Sequence, residues 1–79
     1  MQTEQHQPLL TINVDEVEKL VEKYKGDAYR KIVEQLERHI LSAALIRNYG
    51  NQTKTAEQLG LNRGTLRKKM AAHGMTDSE

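Results

Sequence analysis

Two short polar clusters carry the residue types that hold anions and read base edges. The first is Asn51, Gln52, Thr53 and Lys54; the second is Asn62, Arg63, Thr65, Arg67, Lys68 and Lys69, with Gly64 between. The first crowds the start of an expected helix, where backbone N–H groups lack internal partners and attract phosphate-like anions. The second falls within two turns of another helix. The planar fork of Arg63 can grip guanine bidentately in a major groove. Thr65 and Lys68 project away from the Leu66/Met70 side, while Arg63 lies near the azimuth of Met70 but can splay off the helix end. Gly64 removes a side chain beside Arg63, so that backbone can approach a partner closely, at a helix-propensity cost of about 1 kcal/mol against Ala.

This chemistry is non-covalent. The only serines are Ser42 and Ser78, and no nucleophile, base and orienting group can be assigned, so the chain is not expected to be an enzyme. It has no cysteine, which excludes disulfides and a thiolate zinc site. His6, His39 and His73 are too scattered for a metal site or a triad and are expected at the surface or at helix ends. No cofactor is expected.

The elements that must position these groups are two helices and a tight turn. The first is expected over residues 52–59, ended by Gly60, which adopts a left-handed conformation without a Cβ penalty. Leu61 can tuck under the turn, and Asn62 is a good N-cap for a helix starting at Arg63. Ala56 and Leu59 share one face of the first helix, and Leu66 and Met70 share one face of the second. Packing those faces together makes a helix-turn-helix, with the second helix entering a major groove N-terminus first.

The runs GNQT, GLNRGTLRKKM and HGM resemble the C-terminal DNA-binding unit of the Fis (factor for inversion stimulation) family of nucleoid proteins. They are similar also to the C-terminal domain of NtrC-type σ54-dependent activators. The strong match covers about a third of the chain, and the helical region before it agrees in pattern more than in letters. The resemblance implies a homodimer that binds and bends double-stranded DNA with loose sequence preference, in transcription regulation or nucleoid organisation. It also implies phosphate contacts from Asn51 and Thr53, and makes one from Lys54 plausible. Base reading falls to Arg63, Asn62 and Thr65; Asn51, Gln52, Thr53, Lys54, Arg67, Lys68 and Lys69 form the phosphate set. Two departures stand out. Ala71 and Ala72 follow Met70 where Fis relatives often carry more lysines, implying fewer phosphate contacts. His39 stands where they often have a kinking proline, implying a straighter helix.

Ahead of this unit, residues 1–12 read as a mobile polar arm. It is shorter than the hairpin arm with which Fis-like proteins contact recombinases, so recombinase stimulation is not carried over, and contact with a recombinase or RNA polymerase stays open. Residues 13–50 read as a helical dimerisation region. Asn13 caps a first helix, with Glu16 in a capping-box relation and Ile12 able to staple onto Val17. Val14, Val17, Leu20, Val21 and Tyr24 form its apolar stripe, and Gly26 with Asp27 marks the break, Asp27 being the next cap. A second helix is expected over 28–49, about 33 Å long, with Tyr29, Ile32, Val33, Leu36, Ile40, Ala43, Ala44, Leu45 and Ile46 on a broad stripe. One small subunit offers little to cover it. The expected fold is therefore all-α, four helices per subunit: two N-terminal helices pair with a second copy in a dimer core, and residues 51–75 form the helix-turn-helix. Residues 76–79 read as a frayed acidic tail.

Seventy-nine residues allow one domain at most. The net charge of +1 decides nothing, but its distribution does: residues 46–75 carry six basic side chains against one acidic (Glu57), whereas residues 1–45 carry six basic and eight acidic. Three tyrosines without Phe or Trp argue against a platform for stacking single-stranded bases. With no membrane-spanning run and no signal-peptide pattern, the expected location is the cytoplasm, at the bacterial nucleoid. The alternative reading is a helical protein-interaction and dimerisation module, related to σ54-activator C-terminal domains, whose basic face binds an acidic protein.

Overall fold

The computed structural model describes residues 9–75; the expected tail, and residues 1–8 of the expected arm, lie outside the described residues. Four helices follow in order, α1 (Val14–Lys23), α2 (Ala28–Arg47), α3 (Gln52–Leu59) and α4 (Arg63–Ala72), and among the described residues there is no strand. The all-α, four-helix architecture with a C-terminal helix-turn-helix is as expected from the sequence. The chain divides into two compact units, Met1–Ile32 and Val33–Glu79, taken separately below.

In the first unit α1 starts where its cap dictates: Asn13 is extended, and its side chain accepts a hydrogen bond from the Glu16 N–H at 3.1 Å, satisfying one of the donors a helix start leaves over. Asp15 and Glu16 occupy the first turn, where the helix dipole favours negative charge. Asp27, expected as the next cap, gives its carbonyl to the Lys31 N–H at 3.1 Å. Its carboxylate is gripped at two points by Arg30, from Nε at 3.0 Å and from the terminal guanidinium nitrogen at 2.7 Å. That grip holds the Asp27 carboxyl below its ordinary range. The Tyr24 ring lies under the ammonium groups of Lys23 and Lys31, at 5.4 and 5.6 Å.

The second unit holds the core. Leu41, Ala56, Leu66 and Met70 are buried together, with Leu45, Leu59, Leu61 and Met75 packed against them. Three of the four turn-closing residues named in the sequence, Ala56, Leu66 and Met70, are nearly inaccessible, and Leu59 is half-buried. Leu41 is the unforeseen member. It is 1 % exposed although the stripe read from the sequence passed it by, whereas Val33, Leu36 and Ile40 on that stripe stay exposed. The last two turns of α2 therefore turn Leu41 and Leu45 to the helix-turn-helix, and Ala44 is buried as well. Helix α2 also stops at Arg47, two residues short of the expected end. Asn48 closes it, its side-chain amide donating at 2.8 Å both to the Ala44 carbonyl and to Gln58 Oε1 on α3.

Candidate nucleic-acid interface

The turn between α3 and α4 is built as its sequence requires. Gly60 takes φ +76°, and across it the Leu61 N–H reaches back to the Ala56 carbonyl at 2.9 Å, the hydrogen bond of a Schellman ending. Leu61 is thereby turned toward the core. Asn62 then caps α4, its Oδ1 accepting from the Thr65 N–H at 2.8 Å. The start of α3 is made likewise: Asn51 Oδ1 accepts from the Lys54 N–H at 3.0 Å. Thr55, which the sequence reading did not single out, is fully buried. Its hydroxyl donates to the Asn51 carbonyl at 2.7 Å, so the N-terminal turn of α3 is fixed from inside as well as capped from outside.

These elements converge on one open cleft, lined by Gly50, Asn51, Gln52 and Thr53 from the start of α3 and by Arg63, Arg67, Lys68, Met70 and Ala71 from α4. Six of the ten anticipated contact residues thus share one concavity, and none of the residues lining it is acidic. Among the described residues Arg63, Arg67 and Lys68 form no ion pair. Three uncompensated cations beside a helix N-terminus make a focused positive field whose natural complement is a polyanion.

The other four anticipated residues stand elsewhere. Asn62 and Thr65 meet in the cap just described, with Asn62 exposed and Thr65 half-buried. Lys54 is exposed on α3. Lys69 is committed: its Nζ lies 2.7 Å from Glu37 Oε2 on α2. The other oxygen of Glu37 is 2.9 Å from Nε2 of His73, whose side chain is 3 % exposed. His73 is the residue that closes α4, so it is a helix-end histidine as anticipated, but a buried one. Lys69, first, and His73 hold the Glu37 carboxyl below its ordinary range by hydrogen bonding to it. No local pattern announces this three-residue clasp, since Glu37 stands 32 and 36 positions from its partners.

Among the described residues no cluster of His, Cys, Asp and Glu could hold a metal ion, and no helix is long and apolar enough to cross a membrane.

Comparison with known proteins agrees in extent with this unit. The profile of the family described as "Bacterial regulatory protein, Fis family" matches residues 32–73, a little over half of the chain. The chain is 42 % identical over 50 residues to the DNA-binding protein Fis of Aliivibrio fischeri (strain MJ11), covering 63 % of this chain and 51 % of that protein. It is 41 % identical to the DNA-binding protein Fis of Proteus mirabilis over the same shares. To that of Haemophilus influenzae (strain PittEE) it is 43 % identical, covering 63 % of this chain and 50 % of that one. The chain's match thus spans about half the length of the curated relatives.

Proposed function

The chain belongs to the Fis family of bacterial regulatory proteins, and from that premise we propose that it is a homodimeric, non-enzymatic regulator that binds and bends double-stranded DNA at the bacterial nucleoid. The observation that carries the proposal is the acid-free cleft in which the start of α3 meets Arg63, Arg67 and Lys68 of α4. That the named relatives are DNA-binding proteins supports a duplex as the polyanion that fills it.

In this reading α4 enters a major groove by its N-terminal turn. Arg63 reads a base edge, preferably guanine O6 and N7. Asn62, whose oxygen already caps α4, reads through its amide N–H2 group, and Thr65 adjusts the local fit through its hydroxyl. Asn51, Gln52 and Thr53 at the start of α3, with Lys54, Arg67 and Lys68, hold phosphates and set the register. Lys69 belongs first to Glu37, where it steadies α4, and a phosphate must compete with that carboxylate for it. Residues 13–50 form the dimer core, and the two recognition helices sit closer together than successive major grooves, so that binding bends the duplex and preference is partly a matter of deformability.

The test is a titration of the protein into a mixed-sequence duplex about three helical turns long at two salt concentrations, followed by mobility and anisotropy. A salt-sensitive complex of two chains per duplex is expected. An intact dimer that fails to bind duplex at low salt overturns the proposal and transfers the basic face to an acidic protein partner.

A further inference from the structure

Three helices of this chain end in the same way. At the end of α3 the Leu61 N–H returns to the Ala56 carbonyl across Gly60, at φ +76°. At the end of α4 the Met75 N–H returns to the Met70 carbonyl at 2.7 Å across Gly74, at φ +71°. At the end of α2 the Gly50 N–H returns to the Leu45 carbonyl at 2.8 Å, and the residue in the left-handed position is Tyr49, at φ +54°. Tyr49 is the only residue other than glycine with positive φ among the described residues. Glycine fills this position without penalty, and asparagine tolerates it; a bulky aromatic side chain is an outlier there.

Packing does not account for the aromatic. Tyr49 is 97 % exposed, so its ring contributes nothing to the core of its own unit. The backbone around it is nevertheless firmly fixed. The Tyr49 N–H donates to the Ile46 carbonyl at 3.1 Å, the Asn51 N–H to the Asn48 carbonyl at 2.9 Å, and the Asn48 amide ties the corner to Ala44 and Gln58. An unfavourable conformation held in place by its surroundings, with a large side chain presented to solvent, is the pattern of a site kept for a partner. Its position says which partner. Gly50, the next residue, lines the basic cleft together with Asn51, Gln52 and Thr53, so the corner that carries Tyr49 is the rim of that cleft on the α3 side.

Resting on the duplex reading of the cleft, we infer that Tyr49 is a further DNA-contacting residue, its hydroxyl donating a hydrogen bond to a backbone phosphate that flanks the bases read by α4. Tyrosine is among the side chains that make such contacts. Being neutral, it adds affinity without releasing a counterion, so it tightens binding without steepening the salt dependence. A single ring beside a cleft that no aromatic side chain lines is suited to the backbone of a duplex rather than to a run of stacked single-stranded bases.

The experiment compares wild type with Tyr49→Phe, which keeps the ring and removes the donor, and Tyr49→Asn, whose short amide falls well short of the phenol's reach and which relieves the left-handed backbone. Each is titrated with the same duplex at several salt concentrations, and melting and sedimentation are followed in parallel. Both variants are expected to bind about fivefold more weakly per lost hydrogen bond, with the salt slope unchanged. Tyr49→Asn is expected to melt at or above the wild-type temperature, and both variants stay dimeric. Binding by both variants equal to wild type overturns the inference while leaving the function of the cleft intact. A changed salt slope, a lower melting temperature for Tyr49→Asn or loss of the dimer also overturns it, because Tyr49 is then structural. Failure of wild type itself to bind duplex overturns the inference together with the reading on which it rests.

Discussion

Arg63 and Gly64 occupy the first turn of α4, and they separate what the fold needs from what a duplex needs. Arg63 is exposed and forms no ion pair among the described residues, so replacing it leaves no buried group unsatisfied. Arg63→Ala is expected to cost about 1–3 kcal/mol of binding and to relax preference at one base per half-site. Titrations against duplexes substituted one position at a time measure this, and equal weakening on every sequence removes the base-reading role. Gly64 is the complementary case. A Cβ there would meet Asn62 Oδ1 at 3.5 Å, an ordinary contact, so nothing inside the chain demands glycine. Gly64→Ala should therefore stabilise the helix, by up to about 1 kcal/mol, while weakening duplex binding because the added methyl stands between backbone and ligand. A melting temperature that rises without loss of affinity would show that close approach at Gly64 is not used. At this scale the sequence was legible wherever the physics is local. Asn13 and Asn62 cap the helices they precede, as their types and places imply, and Asn51 does the same for α3, because an N-cap satisfies donors two or three residues away. The clasp of Glu37 by Lys69 and His73 was not legible, because it depends on how α2 packs against the end of α4.

Between elements, α2 proves apolar on two faces, and the reading from spacing alone chose one. Leu36, Ile40 and Ala43 continue a helical stripe that runs on through Ala44 and Leu45, yet it is Leu41, outside that stripe, that is buried with Ala56, Leu66 and Met70, with Leu45 packed beside it. Periodicity identifies which positions share a face but not which face a neighbour takes. Leu41→Ala should accordingly cost about 2–5 kcal/mol of stability through lost burial and the cavity left behind, read as a lower denaturation midpoint, whereas Leu36→Ala should cost a single chain much less. Comparable losses in the two variants at concentrations where the chain is monomeric would contradict this division of faces. The clasp adds a pH dependence at the same interface. The Glu37 carboxyl is held below its ordinary value by the hydrogen bond from Lys69 and then by that from His73. Its contribution is therefore fully present above the unfolded-state value, about 4.3. That contribution is lost as the pH falls through the lower folded-state value. Glu37→Gln should reduce stability at neutral pH and flatten the acid limb of the stability curve below pH about 4.3. An acid limb identical to that of wild type would show that other carboxylates carry it.

At the scale of the molecule, the question is what so short a chain does with its remaining apolar surface. Among the described residues five hydrophobic side chains are buried, Leu41, Ala44, Ala56, Leu66 and Met70, a small core of the size that commonly relies on association, metal or disulfides. Cysteine is absent. Meanwhile Val33, Leu36 and Ile40 lie at helical spacing along α2 and remain 45, 42 and 44 % exposed, and Val14, Val21 and Tyr29 remain exposed in the first unit. The second copy proposed above would cover this surface economically, because a two-fold axis lets one stripe answer another, and pairing would also deliver two basic clefts to one duplex. The paired substitution Leu36→Glu with Ile40→Glu tests this directly. It introduces like charges that must face each other across a symmetric contact, and leaves Leu41 and the helix-turn-helix untouched. Sedimentation should show the variant as a monomer at concentrations where wild type is a dimer, with its helix content largely retained. Duplex affinity should fall by about a hundredfold or more, since the second cleft no longer binds at the effective concentration its partner provides. A variant that stays dimeric at the same concentrations would place the subunit contact elsewhere. One that becomes monomeric yet binds as tightly as wild type would show that a single cleft suffices, and that the proposed bending by paired recognition helices is not how this chain holds DNA.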